Sequence, residues 1–252
     1  MSDIALKEIS LTQVCNMLYD GLIMSFSKEC RLFTIIPILI NMVILFAGSY
    51  FIYHLINDAI IAMVGYLPDF LSFLASLLSY VLALIIIASG FYFFSTFATI
   101  IASPFYGLLA ERVESIEKGL PITSSSFYDL IKDVPRIFLR EIQKLAYYVP
   151  RLLLCLIVML IPVVNLISPI LWILLASWMI SIQFCDYAYD NHKTSFAFMK
   201  QDLKANRLST FIFGFIISFC ITIPIFNLFV PAGAVCAGTK YYIAIQKNKG
   251  AL

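Results

Sequence analysis

Lys132, Arg136, Arg140 and Lys144 recur at every fourth position. On a helix that spacing lays four cations along one slowly drifting ridge. Ser126-x-x-Asp129 resembles a capping box, and Pro135 suits an early helical position, so the spacing predicts a helix here. Two readings are open. A basic ridge can collect anions at a pore mouth, because focused charge raises the local anion concentration. It can equally serve lipid contact and membrane topology. Arg31 stands just ahead of a long apolar run. It is either an interface anchor or, with the backbone amides around Cys30, Leu32 and Phe33, an oxyanion site at a helix start.

Other groups invite weaker chemistry. Thr96, Thr99 and Ser103 put hydroxyls at membrane depth. They can line a hydrated path or bond their own helix. Glu111 and Glu114 are placed to pair with Arg136 or Arg140. Asp186, Asp190 and His192 form a proton relay, a metal site or a hydrophilic cap, and Glu111 and Asp186 are the relay candidates. No motif with metal-ligand spacing accompanies them, and no Walker, G-x-S-x-G or H-E-x-x-H pattern occurs. We therefore expect no metal, no cofactor, no ATP site of the Walker kind and no nucleic-acid partner. The six cysteines (15, 30, 155, 185, 220 and 236) are scattered without a C-x-x-C and read as small apolar residues.

The elements that hold these groups belong in a bilayer. The chain is 62% hydrophobic and 13% charged, whereas a soluble domain has about 45–50% apolar and about 25% charged residues. Asp3, Lys7 and Glu8 interrupt the first ten residues, so no signal peptide is read and the N-terminus is expected to stay. Charge-free stretches cover 32–57, 70–110, 152–185 and 208–239. A helix needs about 20 apolar residues to cross ~30 Å of hydrocarbon. The first stretch gives one span, 32–57. The second gives a span over 70–95 and a remainder to Ala110.

The third and fourth stretches, of 34 and 32 residues, are long for one span and short for two. Each is broken centrally by the same pattern, I-P-x-x-N-L-x-x-P. Its landmarks are Pro162, Asn165 and Pro169 in one, and Pro224, Asn227 and Pro231 in the other. Proline removes a donor and clashes with the preceding turn. The pattern therefore predicts two helical hairpins, 152–185 and 208–239, that enter the membrane and return without crossing it. The competing reading is ordinary spans with proline kinks. Short Pro-interrupted segments in corresponding places point to a transport site. Irregular backbone cannot face lipid, so the tips must be buried in protein or line a wet cavity.

Charge asymmetry agrees. The loop 58–69 carries no Lys or Arg, whereas 111–151 carries seven and 186–207 four. Hairpins that return place all seventeen on the cytoplasmic face. The first 28 residues read as an interfacial helix with Ile4, Leu11, Met17, Leu18 and Leu22 on its apolar face. The fold expected is thus a single all-α integral membrane domain, 1–252. It combines two long transmembrane helices, two Pro/Asn-broken half-penetrating hairpins, a basic helical segment over 112–150 on the cytoplasmic side, and the interfacial N-terminal helix.

Several stretches together resemble one family. They are Phe93-Phe94-Ser95-Thr96 with Ala102-Ser103-Pro104-Phe105-Tyr106-Gly107 and on to Glu111; Lys132-Asp133-Val134-Pro135-Arg136 through Arg140-Glu141 and Gln143-Lys144; Gln183, Cys185-Asp186-Tyr187 and Asp190-Asn191-His192-Lys193; and Pro224 with Asn227-Leu228-Phe229. In order and spacing these resemble the CysZ family of bacterial sulfate permeases over about residues 20–245. The resemblance implies proton-dependent sulfate uptake across the bacterial inner membrane to supply cysteine biosynthesis, without an ATPase partner, by an oligomer of hairpin-containing subunits. Family members often carry Gly-x-Arg-Arg before the first span as a sulfate site. Here the stretch reads Lys28-Glu29-Cys30-Arg31-Leu32, which keeps only Arg31. Two further readings compete with transport: an intramembrane enzyme using Asp186, Asp190 and His192, and a non-transporting assembly or regulatory protein.

Overall fold

The computed structural model describes residues 9–66, 72–121, 127–227 and 229–250. The described residues contain no strand. Nine helices follow in chain order among them. They are α1 (Leu11–Ser25), α2 (Arg31–Tyr66), α3 (Ser72–Lys118), α4 (Phe127–Leu160), α5 (Ser168–Asn191), α6 (Phe196–Ala205), α7 (Arg207–Thr222), α8 (Pro224–Asn227) and α9 (Val230–Asn248). The expected all-α class holds. The backbone groups into two compact units, Met1–Ile36 with Ser103–Leu252, and Pro37–Ala102.

The smaller unit consists of parts of α2 and α3. Within α2, Arg31–Ala59 is long and apolar enough to cross a membrane. Its Val43, Phe46, Tyr50, Phe51 and Tyr53 are exposed, as lipid-facing side chains would be. Helix α3 runs from Ser72 with Pro104 inside it, and among its described residues Leu77–Ile87 form a shorter apolar stretch within the expected second span. The side chains at 88–101, Thr96 and Thr99 among them, lie outside those described, as does Ser126.

In the larger unit, α5 is the central post, packed on α4, α7 and α9. A Cβ on Gly214 of α7 would stand 1.8 Å from the Ser177 carbonyl oxygen of α5, so only glycine permits this approach. Ser181 bonds across the same seam, its Oγ donating to the Thr210 carbonyl at 2.6 Å. A bend of 100° separates α6 from α7. It is held by Tyr241 of α9, whose hydroxyl meets Ser209 Oγ at 2.7 Å and Thr210 Oγ1 at 2.9 Å.

Helix α1 opens with a capping box between Ser10 and Gln13. It does not stand apart. Its residues 20, 21, 22 and 26 meet 240, 237, 233 and 229, so α1 runs antiparallel along α9. A Cβ on Gly21 would lie 2.6 Å from the Ala237 nitrogen. Two helices this close share one tilt. Helix α1 can therefore lie flat on the membrane only if α9 does, a coupling that the amphipathic pattern of α1 alone does not reveal.

Both Pro/Asn patterns fall at chain reversals. In the first, Pro162 and Val163 form a tight γ-turn, with the Val164 amide donating to the Pro162 carbonyl at 2.8 Å and Val163 at φ 70°. A 3-10 turn, Val164–Ile167, holds Asn165, and Pro169 sits in the first turn of α5. In the second, Pro224 starts α8, Asn227 ends it, and Pro231 lies in the first turn of α9.

One length differs from the expectation. The arm leading to the first reversal is not the ten residues from Leu152 but the whole of α4, which runs on through Pro135 and Pro150. Pro135–Leu160 and Val164–Asn191 are each long and apolar enough to cross, at about 39 Å and 42 Å for a rise of 1.5 Å per residue. The sequence shows charges at 136, 140, 144 and 151 and so ends the apolar run. The structure turns the first three toward α5 and leaves Phe138, Leu139, Ile142, Leu145, Val149 and Leu153 outside. The basic segment 112–150 is therefore not a separate element. Helix α7, at about 24 Å, keeps the short arm expected of the second hairpin.

Candidate functional site

The four-residue spacing on α4 meets a four-residue spacing on α5. Because the two helices run in opposite directions, one turn down α4 matches one turn up α5. Arg136 Nη1 lies 2.5 Å from Asp190 Oδ1 and donates to the Asp190 carbonyl at 2.8 Å. Its Nη2 holds Asp133 at 2.9 Å. One turn on, Arg140 Nε donates to Asp186 Oδ1 at 2.8 Å, with Nη2 2.6 Å from the same oxygen. The Nη2 group is buried and, beyond this ion-pair contact, has no hydrogen-bond partner; Arg136 Nε likewise has none.

Lys144 completes the centre. Its Nζ stands 3.3 Å from Asp186 Oδ2 and 2.6 Å from Glu141 Oε1. Ser103 Oγ of α3 donates to that Glu141 oxygen at 3.3 Å. The side chains of Arg140, Lys144 and Asp186 are 9%, 4% and 2% exposed. Aromatic rings close the sides: Arg140 lies over Phe196 and Lys144 over Tyr187, itself edge-on to Tyr106. Isolated charges this deep would cost several kcal/mol each, so the pairing is what permits them.

The sequence brought forward Arg136, Arg140, Lys144, Ser103 and Asp186; the structure gathers the last four and holds Arg136 one turn away on Asp133 and Asp190. It also adds Glu141, which the ridge reading passed over. The signal for it was Glu141 three residues before Lys144, within reach on a helix. The ridge does not lie open as a row of free cations, because each of the three described cations has an acidic partner.

Glu114 does not pair with Arg136 or Arg140, the partners expected for it. It binds Lys118 at 2.6 Å and His192 Nε2 at 2.8 Å, because it lies more than two turns beyond Ser103 on α3. Burial pushes the Glu114 carboxyl up, but the hydrogen bonds and charges of His192 and Lys118 outweigh it and hold the carboxyl below its usual range. Ser115 Oγ donates to the Glu111 carbonyl. Asp186, Asp190 and His192 thus face three different partners. Among the described residues no group of His, Cys, Asp and Glu can hold a metal ion.

At Arg31 the amides of Cys30 and Arg31 donate to Ser27, and that of Phe33 donates to Cys30. Cys30 is buried, whereas Arg31 and Leu32 are exposed. Phe26 contacts Phe229 at 5.8 Å between ring centres, which sets this segment beside the second reversal.

An all-α chain with apolar helices long enough to cross a bilayer, and a sealed cluster of paired charges between two of them, belongs to the membrane proteins. Comparison assigns the family. The family described as sulfate transporter CysZ/etoposide-induced protein 2.4 matches residues 17–231, and the chain belongs to it. A sulfate transporter CysZ of Vibrio cholerae serotype O1 is 41% identical over 230 residues, 91% of this chain and 92% of that protein. Those of Vibrio parahaemolyticus and Salmonella typhimurium are 39% and 38% identical, over 91% and 88% of this chain and 93% and 88% of theirs.

Proposed function

We propose that this protein is a sulfate permease that takes up sulfate with protons across the bacterial inner membrane, as a multi-pass homo-oligomer, and supplies cysteine biosynthesis. The observation that carries the reading is the Arg140–Asp186–Lys144–Glu141 cluster. It places cations inside a chain whose relatives are sulfate transporters, and pairs each with a carboxylate that can take up a proton. An intramembrane enzyme built on Asp186, Asp190 and His192 would need them convergent, and they point to separate partners. Arg31 with Cys30 and Leu32 is the proposed first contact for the anion. Arg31 supplies an exposed charge there, although the neighbouring amides are largely spent within the backbone.

The first reversal supports the oligomer. Leu160, Val163 and Leu166 are 81%, 79% and 78% exposed around an irregular turn, and irregular backbone at membrane depth must be covered by protein or water. A second copy is the proposed cover. This demand belongs to a half-penetrating hairpin, whose tip stops inside the hydrocarbon.

Radiolabelled sulfate uptake into proteoliposomes holding the purified protein alone tests the function. Uptake above empty liposomes that rises with an inward proton gradient is expected. Background uptake by folded, inserted protein would overturn the reading.

A further inference from the structure

The charge of the cluster suggests how many protons move. Arg140 and Lys144 carry two positive charges, and the two carboxylates they share, Asp186 and Glu141, carry two negative ones. One sulfate carries the same charge as that pair of carboxylates. Sulfate presents only acceptors, and the groups aimed at the two carboxylates are all donors: Arg140 Nε, Lys144 Nζ and Ser103 Oγ. A further donor, Arg140 Nη2, is buried beside them with no hydrogen-bond partner.

We propose that sulfate occupies the place of the Asp186 and Glu141 carboxylates on Arg140 and Lys144, and that each carboxylate takes one proton as it is displaced. This deepens the proposed sulfate uptake and rests on it. Two protons enter with each sulfate, so the loaded centre keeps the charge of the empty one and no charge has to be buried unpaired. On release the two carboxyls lose their protons and return to the cations.

The other groups facing the centre do not alter the count. Arg136 is held one turn away between Asp133 and Asp190. Tyr187 and Cys185 flank Asp186 on α5, and Tyr106 touches Tyr187 from α3. From α6, Lys200 also lies over the Phe196 ring that Arg140 covers.

The test is the equilibrium accumulation of sulfate by the full-length protein in liposomes, with the pH gradient and the membrane potential set independently. For the native chain the inside-to-outside sulfate ratio should change about a hundredfold per unit of pH gradient, tenfold for each proton. It should ignore the potential. Asp186→Asn, a neutral copy of the protonated acid, should fall to about tenfold per unit and become sensitive to potential, because one negative charge now enters. Glu141→Gln should do the same and serves if Asp186→Asn does not fold. The double variant should lose the pH dependence. Native accumulation that follows one proton or none, or single variants that keep a two-proton, potential-independent ratio, would overturn this inference and leave sulfate transport standing. Absence of any sulfate flux would overturn both.

Discussion

Arg140 and Asp186 face each other across the α4–α5 seam with Nε donating to Oδ1 at 2.8 Å, and neither side chain reaches solvent. A pair of this kind is costly to break from one side. Removing one partner from a buried ion pair leaves an uncompensated charge, at about 3–5 kcal/mol. Asp186→Ala should therefore lower the unfolding midpoint of the detergent-solubilised protein markedly. Replacing Arg140 and Asp186 together with Met and Leu should recover most of that loss while abolishing sulfate uptake. A double variant no more stable than Asp186→Ala would show that the pair is not the coupled unit described.

Glu114 gives a pH dependence with a defined sign. His192 and Lys118 hold its carboxyl below the usual range despite burial. The folded state then binds this proton less readily than the unfolded state. Its contribution is fully present above the unfolded value, about 4.3, and is lost as pH falls through the lower folded value. Glu114→Gln should be less stable than the native protein at neutral pH, and the gap should close toward acid. Thermal unfolding from neutral to acid pH reads it. A gap of constant size would show that Glu114 acts through shape alone.

How much of this was legible in the sequence depends on what each residue's reading required. The reversals at Pro162 and Pro224 were visible because proline's missing donor is a local property. The cluster was half visible. Arg136, Arg140 and Lys144 at four-residue intervals, with Asp186 and Asp190 at the same interval, match in an antiparallel pair. That match emerges only once the two stretches are known to be neighbours. The same ignorance cut α4 short, because a charge in a sequence reads as the end of an apolar run, whereas Arg140 inside a seam is compatible with a continuous lipid-facing side. The packing of Gly21 on Ala237 had no sequence signature, since close helix approach depends on both partners.

Gly214 makes the steric version of that point testable. A Cβ there would fall 1.8 Å from the Ser177 carbonyl oxygen, a backbone atom that cannot rotate away. Gly214→Ala must push α7 off α5. Overpacking costs about 1–3 kcal/mol, and loss of the Ser181–Thr210 bond at 2.6 Å adds to it. The variant should unfold at lower temperature and elute heterogeneously. An unchanged midpoint would mean that α5 and α7 do not approach so closely.

Val163 concerns the first reversal. A β-branched residue at φ 70° occupies a region of backbone space that such side chains avoid, at a cost of roughly 1–3 kcal/mol. The residue is 79% exposed in the single chain, so little within the subunit rewards it for being there. Val163→Gly removes the strain together with the side chain, and the sign of its effect separates two situations. If the tip meets no other copy, the variant should be more stable by about 1 kcal/mol, with unchanged association. If a second copy covers the tip, as proposed, the lost apolar contact should weaken the oligomer even as the isolated subunit gains stability. Chemical crosslinking at increasing detergent dilution, set beside the unfolding midpoint, reads both quantities. A gain in stability with undiminished crosslinking would remove the first reversal from the subunit interface.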